Sequence, residues 1–186
     1  METGLRRTDG SFRTMEENLK YICQRLKIPV TPKQLEAARH VRFNYVKKAL
    51  KPRKDALETL SQIKSDGYKI GLISNCSTEP PIIWPNTPFA PYFDVTIFSS
   101  TACLLKPDPL IFQMAIKQLN VASQKCLYVG DGASDELPAA AKAGMTPVLI
   151  RAPYEDKDDA LRPDDSKEVF TGICITSLKE VLNLVK

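Results

Sequence analysis

The chain has 186 residues, 43% of them hydrophobic and 26% charged, the profile of an ordinary globular protein long enough to bury its own core. It has no run of about 18 apolar residues, so a transmembrane helix is not expected. Its start, Met1-Glu2-Thr3-Gly4-Leu5-Arg6-Arg7, lacks the apolar stretch of a signal peptide, and the expected address is the cytoplasm. The net charge of +4 is unevenly placed: residues 1–54 hold 14 Lys and Arg against 5 Asp and Glu, and the remainder 12 against 17. A basic face can attract anions or nucleic acid, but a solvated helix surface explains the same pattern, and nucleic acid is not the expected partner. Cys23, Cys76, Cys103, Cys126 and Cys174 are odd in number and never form a C-x-x-C pair. They read as reduced, mostly buried thiols rather than a zinc site or a disulfide framework.

Residues 1–14 are polar and irregular. From Met15, Leu19, Ile22, Cys23 and Leu26 recur at helical spacing and predict a helix to about Lys27. Thr31-Pro32-Lys33-Gln34 opens a second helix, with Thr31 as cap and Gln34 at the capping-box position. Leu35, Ala38, Val41, Tyr45 and Leu50 supply its apolar stripe, completing a helical hairpin.

After Pro52 the rhythm changes. Leu57, Leu60 and Ile63 mark a helix stopped at Gly67, followed by a short buried strand, Ile70-Gly71-Leu72-Ile73. Glu79 to Pro91 holds five prolines around Trp84, too many for a helix, and is expected to be a loop. Strands follow at Val95–Phe98, Cys126–Val129, Pro147–Ile150 and Ile173–Ile175, with helices at Pro109–Leu119, Glu136–Ala143 and Leu178–Val185 and a polar loop over 151–167. Alternating strands and helices predict an α/β fold: a parallel sheet covered on both faces, with its site beyond the carboxyl ends of the strands.

Those ends carry the chemistry. Ser74-Asn75 follows the first strand, Lys106 sits in Leu105-Lys106-Pro107-Asp108-Pro109, and the third strand runs into Gly130-Asp131-Gly132-Ala133-Ser134-Asp135. A hydroxyl, an ammonium and paired carboxylates suit a phosphate monoester with a divalent cation. Each also has an ordinary structural explanation: a strand end, a surface lysine, or a helix-capping aspartate.

Taken together, these pieces resemble the haloacid dehalogenase (HAD) superfamily, mainly Mg2+-dependent phosphatases. The match covers residues 54–150 in order: the helix before Gly67, the strand ending Ser74-Asn75, Lys106-Pro107-Asp108-Pro109, and Val129-Gly130-Asp131-Gly132-Ala133-Ser134-Asp135 with Ala139 to Met145. The resemblance implies a Rossmann-like three-layer core over 52–186 and a partial helical cap over 1–51. It further implies that Ser74 and Asn75 bind the phosphoryl group and that Lys106 holds both that group and the nucleophile. Asp131 and Asp135 would then serve Mg2+, and the substrate would be a small phosphate ester. The oligomeric state stays open.

One family element is missing. The first motif, an apolar strand ending Asp-x-Asp whose first carboxylate attacks phosphorus, has no counterpart: at Arg7-Thr8-Asp9-Gly10-Ser11, Arg7 stands in the nucleophile's place. The chain is therefore expected to be an N-terminally truncated, inactive phosphatase, or else a catalytically dead binding or regulatory protein. The missing strand belongs between those ending at Ser74 and Val129. Its loss leaves open edges costing about 1–3 kcal/mol per buried unpaired group. Either the fold is marginal, or the two strands pair directly.

Two other hydrolase or nucleotide readings fail. The only histidine, His40, lies in the hairpin, far from any Ser–His–Asp arrangement, and Gly130-Asp131-Gly132 lacks a dinucleotide fingerprint.

Overall fold

Thr14 and Thr31 each start a helix by the same device. Thr14 Oγ1 accepts from Glu17 N at 3.2 Å while Glu17 Oε2 accepts from Thr14 N, and Thr31 and Gln34 repeat the exchange. These caps open α1 (Met15–Arg25) and α2 (Pro32–Ala49), the two arms of the hairpin, in a computed structural model that describes residues 6–153 and 170–185. Ahead of them, positions 6–8 form a helical turn where the sequence reads as irregular.

The inward face of α2 differs from the expected stripe. Leu35 is buried, but Val41 and Tyr45 are 72% and 70% exposed. The half-buried positions are Arg39, Arg42, Phe43, Val46 and Leu50, so the helix is turned by about one residue, roughly 100°. The reason is Arg42. It pairs with the fully buried Glu79 and with Asn18 of α1, and this polar contact, not an apolar seam, orients the helix.

The core elements follow in order: α3 (Ala56–Ser65), β1 (Gly71–Ser74), α4 (Glu79–Ile83), β2 (Val95–Phe98), α5 (Ser99–Ala102), α6 (Pro109–Leu119), β3 (Leu127–Gly130), α7 (Glu136–Lys142), β4 (Thr146–Ile150) and β5 (Ile173–Ile175). A 3-10 helix over Leu178–Asn183 closes the chain where an α-helix is expected. The polar stretch 151–167 falls, from 154 onward, outside the described residues. The proline-rich segment is not the structureless loop its composition suggests. Pro80 and Pro81 occupy the first turn of α4, which needs no N–H donors, and two 3-10 turns follow. Trp84 anchors the segment, its ring 4.9–5.7 Å from those of Phe89, Phe93 and Phe98.

All described strand pairs are parallel, but they form two sheets. β1 pairs with β2, Gly71 opposite Val95 and Ser74 opposite Phe98; β3, β4 and β5 make a second sheet in that order. Direct pairing of β1 with β3 does not occur, which corrects that expectation. Helix packing explains why. Ile111, Phe112 and Ala115 of α6 are buried in one cluster with Val95 and Ile97 of β2 and with Tyr128 of β3. On the opposite face Ile63 of α3 joins Val148, Ile150, Ile175 and Val181, with Ile70, Leu127 and Val129 against them. Both helical layers thus bridge the break, and closing it would mean repacking them. The break leaves its mark on burial: no residue of β1 is buried and only Tyr128 of β3, although parallel strands are ordinarily covered on both faces. No helix among the described residues is long and apolar enough to cross a membrane.

Candidate active site

The carboxyl ends of β1 and β3 meet at Lys106. Asn75, just past β1, accepts from Lys106 N through Oδ1 at 2.8 Å and donates through Nδ2 to Lys106 O at 3.0 Å. Its amide is therefore engaged with the backbone of Lys106. The following peptide, Lys106–Pro107, is cis, and Asp108 caps α6 by accepting from Leu110 N at 2.9 Å. Held in this way, the Lys106 side chain crosses to β3. Its Nζ donates to Tyr128 OH at 3.2 Å and to Glu136 Oε2 at 2.5 Å.

Glu136 completes a closed network. Tyr128 OH donates to its Oε2 at 2.8 Å, and Gly132 N donates to its Oε1 at 3.1 Å. The side chains of Lys106 and Glu136 are only 13% and 3% exposed, so the pair is weakly screened by solvent. Burial, together with the Glu136 carboxylate and, to a lesser degree, Asp131, pushes the Tyr128 phenol far above its usual range and keeps it a neutral donor. Gly130 makes room for this arrangement: a Cβ there would lie 2.1 Å from Glu136 Oε1.

Asp131 lies at the end of β3, its Oδ1 accepting from Ala133 N at 3.0 Å. Asp135 is exposed, across a tight turn in which Gly132, Ser134 and Asp135 all have positive φ (88°, 57° and 49°). Such backbone concentrates at sites where function imposes geometry. The donor chemistry fits Mg2+, a hard cation commonly held by one or two carboxylates with the remaining positions left to phosphate and water. Among the described residues no group of three or more His, Cys, Asp or Glu is placed to hold a metal on its own.

Asn75, Lys106 and the start of the Asp131 turn thus come together. Ser74 is half-buried at the end of β1, its hydroxyl beside the Cys76 thiol, whose proton burial holds above the usual thiol range. Cys76 is therefore a buried thiol held in its protonated form. His40 is exposed on the hairpin beside Glu36.

Tyr128 and Glu136 are the site residues that sequence reasoning missed. Tyr128 reads as one more apolar strand residue, and Glu136 as an ordinary acid in the first turn of a helix. The available signal was Gly130, a strand residue without a side chain directly before the acidic turn.

A family model described as haloacid dehalogenase-like hydrolase matches residues 4–144. The glyceraldehyde 3-phosphate phosphatase of Methanocaldococcus jannaschii is 27% identical over 151 residues, covering 78% of this chain and 62% of that protein. The enzyme of the same name from Methanopyrus kandleri is 31% identical over 156 residues, 82% of this chain and 65% of that protein. The chain thus spans a little under two thirds of these relatives' length. Among solved structures, a HAD phosphatase from Thermococcus onnurineus superposes with a TM-score of 0.64 at 22% identity, over 89% of this chain and 69% of the other, a likeness of fold.

Proposed function

This chain belongs to the haloacid dehalogenase-like hydrolase family, and we propose that it carries the Mg2+-dependent phosphate-binding site of a phosphatase for small phosphorylated metabolites. The observation that carries the reading is Lys106, its backbone held by Asn75 and its ammonium by Tyr128 and Glu136, between the carboxyl ends of β1 and β3 and beside the Asp131 turn. An ammonium has three donors, and two are taken. The third is left for a phosphoryl oxygen, and Ser74, the sequence neighbour of Asn75, lies on the β1 side. Mg2+ held by Asp131 and Asp135 would offset the phosphoryl charge. The substrates named for the similar archaeal phosphatases support a small phosphate ester. In this reading residues 1–51 are the partial cap and 52–186 the core.

Turnover is a separate matter. Through an aspartyl-phosphate it requires an attacking carboxylate on a strand end. None of the described strands ends in Asp-x-Asp, and Arg7 stands before Asp9 in the nearest string. Residues 1–186 are therefore proposed to bind phosphate without hydrolysing it, as a binding or regulatory protein would. The test is release of p-nitrophenol from p-nitrophenyl phosphate with and without Mg2+, using Asp131→Asn as control. No Mg2+-dependent release is expected. Clear release that Asp131→Asn abolishes would contradict the inactive reading while supporting the site.

A further inference from the structure

We infer that the break between β1 and β3 is a docking cleft for one extended apolar segment of another polypeptide, lying parallel to both strands and joining the two sheets. Backbone direction defines its two lips. Val95 N donates to Ile70 O at 3.4 Å, and successive residues of a strand send their N–H and C=O to alternate sides. Leu72 and Ser74 therefore face β2, while Gly71 and Ile73 turn their backbone groups to the break. Thr146 N likewise donates to Cys126 O at 2.9 Å, so Tyr128 and Gly130 face β4, and Leu127 and Val129 turn theirs to the break. The two lips look at each other across Lys106, which is bonded to Asn75 just past β1 and reaches Tyr128 OH of β3. Such rows of open N–H and C=O groups are a template for another strand.

The side chains around the break set the chemistry of the occupant. Ile73 and Tyr128 belong with the α6 cluster, whereas Leu127 and Val129 pack against the cluster that holds Ile63 of α3. A strand between them presents its side chains alternately to these two clusters, so both of its faces must be apolar. The helical layers that would cover it already stand on either side. A second copy of this chain fits less well. Among the described residues its strands are already paired within sheets, so it has no free strand to insert. Strand addition of this kind draws affinity from main-chain hydrogen bonds and specificity from the pockets that receive alternate side chains.

The test is titration of the full chain with a fluorescent synthetic peptide, a short run of alternating valine and isoleucine flanked by lysines, followed by anisotropy and residue-resolved amide exchange. Saturable binding is expected, with exchange at Gly71, Ile73, Leu127 and Val129 slowed at least about tenfold. The same peptide N-methylated at every second residue stays apolar but loses the donors of one edge. It should bind at least about tenfold more weakly. Absence of saturable binding overturns the inference, as does equal binding of the N-methylated peptide, which reports hydrophobic adhesion alone. Slowed exchange at Thr96 instead puts the peptide on the outer edge of β2 and also overturns it. Sedimentation of the chain alone gives the remaining outcome: a dimer that protects the same amides and excludes the peptide assigns the break to a second copy and overturns the proposed partner.

Discussion

Removing Arg42 should destabilise the chain more than any other single change in the hairpin. Glu79 is wholly buried, and Arg42 pairs with it while also reaching Asn18, so one guanidinium ties α1, α2 and α4 together. Breaking a buried pair by removing one partner costs about 3–5 kcal/mol, because the remaining charge is stranded. The Arg42 side chain is 19% exposed, which admits some water and favours the lower end, about 3 kcal/mol. For a chain of this size that corresponds to a fall in Tm of roughly 6–12 °C for Arg42→Met. The assay is thermal and urea unfolding followed by circular dichroism. Arg42→Met/Glu79→Leu removes both charges and should recover at least half of the loss, since apolar replacement of a buried pair is often neutral. A fall below about 2 °C, or a double variant no more stable than the single one, would refute the reasoning.

Three further outcomes follow from the same packing. Backbone amides of β1 and β3, which are less buried, should exchange with deuterium faster than those of β2 and β4; equal protection of all four strands would mean that the break is closed in solution. Cys76 should resist alkylation at neutral pH while exposed Cys103 and Cys174 react, as measured by mass spectrometry. Because burial raises its folded pKa, the stability Cys76 contributes is complete below about pH 8.5 and is lost as pH climbs through the higher folded value; Cys76→Ala should flatten that alkaline loss. Gly130→Ala should displace Glu136 from its place beside Lys106, with a stability cost of about 1–3 kcal/mol from crowding; an unchanged Tm in that variant would show that Glu136 has room to move.

Much of the fold was legible because its signals are local. Capping residues, the glycine stop at Gly67 and short apolar runs place the strands and most helices within a residue or two. What escaped depends on tertiary partners. The face of α2 is set by Arg42, which reads as a surface cation until Glu79 is seen beneath it. The proline-rich segment is ordered by Trp84 and three phenylalanines that no periodicity brings together. The break between the two sheets is held by α3 and α6 from opposite faces, contacts that no local signal announces. At the site, Asp131 announces itself by its position at a strand end and Lys106 by the Lys106-Pro107-Asp108-Pro109 string ahead of a helix. Glu136 and Tyr128 do not, since their importance arises from contacts made across 8 and 30 residues of chain.

The central claim is that Lys106 and the Asp131 turn form one site for phosphate and a divalent cation. It is tested most directly by two-dimensional amide NMR of the isotopically labelled chain titrated with Mg2+ and inorganic phosphate together. Saturable shifts should concentrate at 74–76, 105–108 and 128–136 and be lost in Lys106→Met and in Asp131→Asn. No saturable shift, or shifts confined to the hairpin at 15–49, would contradict it.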